Sequence, residues 1–418
     1  MTEISQIPFT LVTGDMPASV ALLSSPAFTD TPTAPTAAPG TNTTQLATTE
    51  FVAASFASST FTQLGTGAVA LPLTTLLETF TNFAEWAPDR TGATDCSALL
   101  QDACNSANAH TGVLYIPVGT YTVGSLITIT GAGSSRLLII CEGPATFLYN
   151  GTNGCFAFVG TTNYLQYPGI VGGYFQPTSS GSGWAISFTD CYHPYLIRPI
   201  FSANGLGFLT NGIKFLRCWP GEVFEPYLDT GLIGIQWTDT CNQIRITGGE
   251  IDRFTTAGIT GVLASSGSGN SNQIIGVYLE QNSNSINLMN PGEDSFTIRD
   301  CYINQDNLLT GSSYAIHTTG NHGNIDGNKI LNSNVLTGIH NDGIANNIVN
   351  NVGIDLTGAD YFIRNHTTAY GAYVDGNKLT GSTIGTYGNA SNAPASNLSS
   401  GNNLTVSGSG SGTTISRW

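Results

Sequence analysis

Basic residues are scarce in this chain: Lys and Arg together number 12 of 418 residues against 27 Asp and Glu, for a formal net charge of −15. A phosphate backbone is held mainly by Lys and Arg, so nucleic acid is excluded as a partner. Long apolar runs are also missing, and none reaches the roughly 20 residues that a helix needs to span a bilayer, so membrane insertion is not expected. The N-terminus, Met1-Thr-Glu-Ile-Ser-Gln, lacks the basic-then-apolar order of a secretory signal. That points to a soluble protein made and folded in a cytoplasm. The 8 Cys form neither a dense disulfide framework nor a C-x-x-C metal site and read as buried thiols. His193, His317, His322, His340 and His366 are dispersed and match no metal spacing. No metal and no cofactor is expected.

What the chain has in abundance is the chemistry of turns and strands. Gly accounts for 50 residues, with many Ser, Thr and Asn; Gly and Asn tolerate tight turns, and Thr favours strands. Composition separates three regions. Residues 1–82 are poor in Lys and Arg and rich in Thr, Ala and Pro, with Pro32, Pro35 and Pro39 punctuating one stretch. Within them, Thr48 to about Gln63 reads as a short helix with too few apolar residues for its own core, which suggests packing against other copies of itself. Residues 83–388 form the large middle region, and 389–418 a tail of Ser, Gly and Asn. The middle region opens with Asp89-Arg-Thr-Gly-Ala-Thr-Asp95. Leu99, Leu100, Ala103 and Ala107 then have helical spacing over Ser97–Ala107, with Thr94 or Asp95 as N-cap. A strand is predicted at Val113–Pro117.

Internal repetition decides the architecture. A six-residue unit with apolar first and sixth positions recurs nine times, starting at Ile170, Leu196, Val223, Ile246, Ile274, Ile298, Ile325, Ile344 and Val374. The steps are 26, 27, 23, 28, 24, 27, 19 and 30 residues. An irregular period in the twenties suits a β-solenoid, whose strands stay in register while the loops between them vary. Two apolar residues five apart cannot share one face of a straight strand, where sides alternate. A bend at the third and fourth positions turns both inward, and Gly, Pro or Asn makes it cheap. Cys191, Cys218 and Cys241, spaced 27 and 23 apart, nearly follow the same period and read as an internal thiol stack. The Asn-rich coils from Asn321 to Asn351 read as Asn ladders and tight turns. A leucine-rich repeat is disfavoured because its L-x-x-L-x-L spacing and fixed Asn are missing, and a WD-type propeller because its blades need about 40 residues.

Asp89-Arg-Thr-Gly-Ala-Thr-Asp95, the helix after it and Tyr115-Ile-Pro-Val-Gly-Thr-Tyr-Thr-Val123 resemble the opening of the pectate-lyase-like β-helix of bacteriophage tailspikes. The Gly-Asp-Gly usual in that family is Asp-Arg-Thr-Gly here. The stretch Thr33-Ala-Pro-Thr-Ala-Ala-Pro-Gly-Thr-Asn-Thr-Thr-Gln-Leu-Ala-Thr-Thr-Glu-Phe-Val52 resembles a motif near the virion-attachment end of phage tail fibres. The resemblance implies an all-β, right-handed parallel β-helix with an N-terminal capping helix and a small C-terminal β region, assembled as a homotrimer. In that plan residues 1–82 attach to the virion and trimerise, 83–388 bind the receptor polysaccharide, and 389–418 form the trimer end. The implied location is the virion tail, after assembly in the bacterial host cytoplasm. The implied partners are tail or baseplate proteins at the N-terminus, and host capsule, exopolysaccharide or lipopolysaccharide.

Stacking the units names the side chains that become neighbours. Fifth positions, among them Tyr174, Tyr227, Glu250, Tyr278, Tyr302 and, in the eighth unit, Ile348, are predicted to point outward. So are the residues after the sixth, including Asp229, Asp252, Glu280 and, in the eighth unit, Asn350. Asp229, Asp252 and Glu280 then lie on consecutive coils, about 4.8 Å apart per step. Like charges directly opposed are destabilising, so this ladder calls for compensation or use. As a saccharide cleft it would stack sugar rings on Tyr174, Tyr227, Tyr278 and Tyr302, with acid and base drawn from Asp229, Glu250, Asp252 and Glu280. Both the retaining separation of about 5–5.5 Å and the inverting one of about 6.5–9.5 Å are open to such pairs. The alternative is a solvated row, or one paired with Arg253 or a neighbouring subunit. Trp219 with Glu222 and Glu225 reads either as a second sugar contact or as a plain loop. No equivalent of the lyases' Asp cluster, Ca²⁺ and catalytic Arg is evident, so hydrolysis is favoured over elimination. Two functions stand: a polysaccharide depolymerase, or an adhesin or structural fibre that only holds its ligand.

Overall fold

A computed structural model describes residues 35, 37–38, 48–57, 59–61, 70–72, 81–133, 135–203, 208–262, 269–289, 294–305, 314–333, 337–354, 356, 361–366, 371–380, 385–389, 397–399 and 414–416. Two compact units divide the chain, Met1–Leu77 and Glu78–Trp418. In the first, a helix spans Thr49–Ala57, and the Thr48 hydroxyl accepts from the Phe51 amide at 3.0 Å, capping an otherwise orphaned donor. Ser58, Thr62 and Gln63, which the predicted helix included, lie outside the described residues, as do Pro32 and Pro39. Thr60–Phe61 pairs antiparallel with Leu71–Pro72.

The second unit is a parallel β-solenoid. One helix, Ser97–Ala109, follows its first short strands, Thr81–Asn82 and Thr91–Asp95, and buries Leu100, Ala103, Cys104 and Ala107 against the first coils. Its N-cap is Cys96, one residue past Asp95 and two past Thr94, the two predicted caps. The Asp95 carboxylate nonetheless accepts from the Ser97 amide at 2.9 Å, so it satisfies an N-terminal donor from just outside the helix. A sheet of 14 strands forms the first face, and a sheet of 21 strands supplies the second and third faces. The first face runs through Val113–Ile116, Leu138–Cys141, Gly169–Val171 and onward in parallel register. Its strands Asn397–Ser399 and Thr414–Ser416 lie within the predicted tail and continue the same ladder. The coils therefore extend on both sides of the nine units read from sequence.

The expected bend is present at each unit. The third position has positive φ in eight units as predicted, Gly172, Arg198, Glu225, Gly248, Gly276, Asp300, Gly327 and Gly376, and at Asn350 in the eighth once its register is corrected. The first residue of every unit faces the core, and the register pairs Ile170, Leu196, Val223, Ile246, Ile274, Ile298 and Ile325 in series. The eighth unit is corrected. Ile325 pairs with Ile348, not Ile344, and Ile348 pairs with Val374. Its fifth position is Val352, paired with Lys329 and Lys378, so Ile348 faces the core and Asn350 makes the bend. The sixth position there is Gly353, whose missing side chain hides the unit from an apolar pattern. Phe362 and Leu379 fill the space, lying 2.9 and 2.8 Å from where a Gly353 Cβ would be.

Inside the solenoid, like packs on like. Phe158, Phe188 and Phe215 stack at centroid distances of 5.0 and 5.3 Å. All 8 Cys are buried free thiols; the Trp219 and Asn242 amides donate to the Cys191 and Cys218 carbonyls, and the Cys218 amide to the Cys241 sulfur at 3.3 Å, so the three stack on successive coils as their spacing predicts. At the fourth position Asn328, Asn351 and Asn377 are fully buried. The Asn351 carboxamide accepts from the Asn328 amide at 3.0 Å and donates to the Ile325 carbonyl at 2.9 Å. Asn377 repeats both bonds one coil further on. Replacing Asn351 by Ala strands a buried donor and a buried acceptor, each worth about 1–3 kcal/mol. Urea unfolding should therefore show a loss of about 3 kcal/mol, while Asn347→Ala on the exposed side of the same coil stays within about 0.5 kcal/mol.

Candidate functional site

The carboxylate ladder lies on the second face, where the strands Tyr227–Thr238 and Glu250–Val262 run unbroken from the second face into the third. The register places Ser202, Asp229, Asp252, Glu280 and Asn304 in one row. The neighbouring row is Tyr174, Ile200, Tyr227, Glu250, Tyr278 and Tyr302. Both rows follow the predicted stacking.

Their exposure does not follow it uniformly. Asp229 was expected on the surface and is 1% exposed. The Arg253 guanidinium donates to its Oδ1 from Nε at 3.0 Å, and Ser202 and Thr230 hydroxyls donate to it at 3.3 and 2.8 Å. Asp229 is thus the buried half of an ion pair, the pairing that Arg253 offered as an alternative in the sequence. Arg253 follows Asp252 and has a φ of 57°, a conformation uncommon outside Gly, Asn and Asp.

Glu250, Asp252 and Glu280 converge, with a carboxylate oxygen of each within 4.8 Å of the other two. Asp252 is 8% exposed. Its Oδ2 lies 3.2 Å from Arg253 Nε, and its buried Oδ1 has no hydrogen-bond partner. Burial pushes the Asp252 carboxyl up to about 7; Arg253 opposes this, and Asp229, Glu280 and Glu250 add to it. Burial also raises Glu250, followed by the charges of Glu280 and Asp229. Glu280 is held differently. Tyr278 Oη donates to its Oε2 at 3.1 Å and Asn304 Nδ2 donates to its Oε1 at 3.1 Å, so both oxygens serve as acceptors. Around this group, Tyr278 and Tyr302 stack at 5.1 Å, Lys329 sits 5.1 Å over the Tyr302 ring, and Tyr227 is 43% exposed. Aromatic faces beside hydrogen-bonding carboxylates suit a sugar, and a carboxyl raised by burial suits acid–base work.

Trp219 is not part of this arrangement. It bridges to Tyr192 and packs edge-on against Tyr164 at 4.2 Å. Nearby, a groove of about 610 Å³ is lined by Tyr167, His193, Tyr195, Glu222, Arg245 and Gln273. Glu225 lies outside that lining and pairs with Arg198 at 2.7 Å. The sequence reading missed a third cluster. His317, His340 and His366, treated as dispersed, converge on Asp342. Only the stacking of His317 on His340, a coil register not assigned from sequence, would have revealed it.

No protein-family model and no curated protein matches the sequence. Solved structures do resemble the fold. The surface adhesin PfbA of Streptococcus pneumoniae aligns with a TM-score of 0.57 at 10% identity, over 78% of this chain and 89% of the adhesin. DFA-IIIase from Arthrobacter chlorophenolicus A6, solved without its lid in complex with GF2, aligns with a TM-score of 0.61 at 11% identity, over 81% and 99% of the two chains. The Dettilon tailspike protein aligns at 0.46 and 11% identity, over 83% and 70%. At such identities the likeness is one of fold, a parallel β-solenoid found in an adhesin and in a carbohydrate-active enzyme.

Proposed function

We propose that this chain binds a bacterial surface polysaccharide along the tyrosine and carboxylate rows of the second face and hydrolyses it. In this reading Asp252 is the general acid and Glu280 the nucleophile. It rests on one observation: three carboxylates lie within 4.8 Å, and one of them, Asp252, is buried with an unpartnered oxygen, which pushes its carboxyl up to about 7. Asp252 gives that proton to the glycosidic oxygen as the bond to the anomeric carbon breaks, and Glu280 attacks that carbon. Water then displaces Glu280, with the Asp252 carboxylate taking the water's proton. The short separation suits this double displacement, because an inverting pair must leave room for a water between its carboxyls. Glu250 is placed to accept from sugar hydroxyls, and Tyr174, Tyr227, Tyr278 and Tyr302 to support the rings. Asp229 acts through Arg253 as a positioning residue.

The resemblance of residues 33–52 and 89–123 to phage tail fibres and tailspikes supports a host capsule, exopolysaccharide or lipopolysaccharide as substrate. It also supports a homotrimer carried on a virion tail. A second reading, adhesion without cleavage, is favoured by the cover over Asp252 and its contact with Arg253. The two part when the protein is incubated with a panel of capsular polysaccharides and lipopolysaccharides and the products are sized. Firm binding with no shortening of any glycan leaves the adhesin.

If chains shorten, Asp252→Asn and Glu280→Gln should each lower kcat by about 10²–10⁴. Proton NMR of the first product should show the anomeric configuration retained. The rate should fall as pH rises past about 7, where Asp252 loses its proton.

The same proton has a thermodynamic consequence. Asp252 binds it more tightly in the folded chain than in the unfolded one, so its contribution to stability is full below about pH 4 and is lost as pH rises towards about 7. Asp252→Asn should therefore match the wild type in melting temperature near pH 4 and exceed it at pH 8, by the equivalent of about 1–3 kcal/mol. A variant that loses activity while gaining stability would separate a catalytic Asp252 from a merely structural one.

A further inference from the structure

The third face carries a cluster that the carbohydrate reading does not use. His317 pairs with His340 on the next coil, and both point out of the solenoid beside the inward Ile316 and Ile339. They are nonetheless buried, at 8% and 5% exposure. Asp342 lies two residues beyond His340, and His366 comes from the following coil. His317 Nε2 is 3.0 Å from Asp342 Oδ2, His340 Nε2 is 3.4 Å from Asp342 Oδ1, and His366 Nδ1 is 3.1 Å from the same oxygen.

We propose that His317, His340, Asp342 and His366 form a binding site for one divalent transition-metal ion of the zinc class. The donor set of three imidazoles and one carboxylate is of the kind such ions take, and four protein ligands make the closed coordination of a structural site. Tetrahedral bonds of about 2.0–2.1 Å place neighbouring ligand atoms about 3.3 Å apart; Asp342 Oδ1 lies near that spacing from His340 and His366, at 3.4 and 3.1 Å, and His317 reaches the other oxygen of the same carboxylate. Ligand atoms of His317, His340 and Asp342 already lie within 4.8 Å of one another. A second observation points to a ligand. His340 is buried, yet its Nδ1 has no hydrogen-bond partner, while its Nε2 faces the Asp342 carboxylate as a ligand atom of the same site would. His366, with 42% of its side chain exposed, provides the route in. The bound ion would tie three successive coils together across the strand edges.

The full-length chain, freed of metal with EDTA, would be titrated with zinc chloride at pH 7.5 by calorimetry and melted with and without the ion. One ion per chain and a rise in melting temperature are expected, because an ion that binds only the folded chain stabilises it by mass action. His317→Ala should weaken binding at least 100-fold. His366→Ala, changed at a half-exposed position, should melt like the wild type in EDTA yet bind at least 10-fold more weakly. Fewer than about 0.2 ions per chain, or affinity unchanged in both variants, overturns the site. His366→Ala keeps the test decisive should a buried variant fail to fold.

Discussion

From Ile170 to Val374 each coil turns on a left-handed residue at the third position of the repeat unit, and the rest of the molecule depends on it. Straight strands alternate their faces, so the first and sixth residues of a unit reach one core only if the chain bends between them. The bend itself joins the ladder: the third-position amide donates to the next coil's carbonyl at Gly172, Arg198, Glu225, Gly248, Gly276, Asp300, Gly327 and Asn350. No backbone donor is lost at the corner, so the corner can repeat coil after coil. Glycine fits this conformation without a Cβ penalty. Arg198, Glu225, Asp300 and Asn350 accept the conformation with a side chain, and Arg198 with Glu225 turns the exposed position into a surface ion pair.

Once the corner repeats, each interior row must be filled by side chains that fit one step apart. The inner row of the third face shows how this is met. It runs from Phe158, Phe188, Phe215 and Trp237 to Gly261, Leu288, Thr318, Asn341 and Asn365. Large rings fill the first coils, and Gly261 yields its place to the Trp237 indole, whose nitrogen would lie 2.6 Å from a Cβ there. Further on, carboxamides replace the rings, and Asn341 bonds to Asn365 at 3.0 Å. The narrowing is from volume to hydrogen bonding: an Asn stack satisfies itself and the backbone on either side, which a stack of rings cannot do.

This division explains what the sequence made legible. Apolar first positions and Gly, Asp or Asn corners announce a coil wherever both are present, and from Ile170 to Ile325 they set every register. The pattern failed where a role passed to a residue elsewhere in the chain. At Gly353 the sixth position is filled from Phe362 and Leu379, so the eighth unit slid by four residues. Before Ile170 the bends differ, and coils built on Leu114 and Ile139 carry no matching unit. The carboxylate row was legible because it obeys the same register, whereas its burial was not. Exposure depends on Arg253 folding back over Asp229, which a local repeat does not encode. The histidines were hidden for a related reason: His340 and Asp342 belong to one coil, but their partners arrive from the neighbouring coils.

The acidic site follows from the same stacking. A solenoid fixes equal positions of successive coils one strand spacing apart, so Asp229, Asp252 and Glu280 cannot separate by changing backbone position. Rotamers relieve part of the repulsion, and only a cation or a proton removes the remainder. One guanidinium serves four carboxylates here, and Arg253 is engaged by Asp229 and by a single oxygen of Asp252. The other Asp252 oxygen stays buried and without a partner, which makes it the place where a proton most reduces the charge in the row. Tyr278 and Asn304 already supply Glu280 with donors. Two carboxylates on neighbouring coils thus differ in surroundings: the scaffold covers Asp252 and hydrogen-bonds both oxygens of Glu280. A carboxyl pushed up to about 7 is then a consequence of stacking charge on a rigid ladder, and it is obtained at the expense of stability at the coils that carry it.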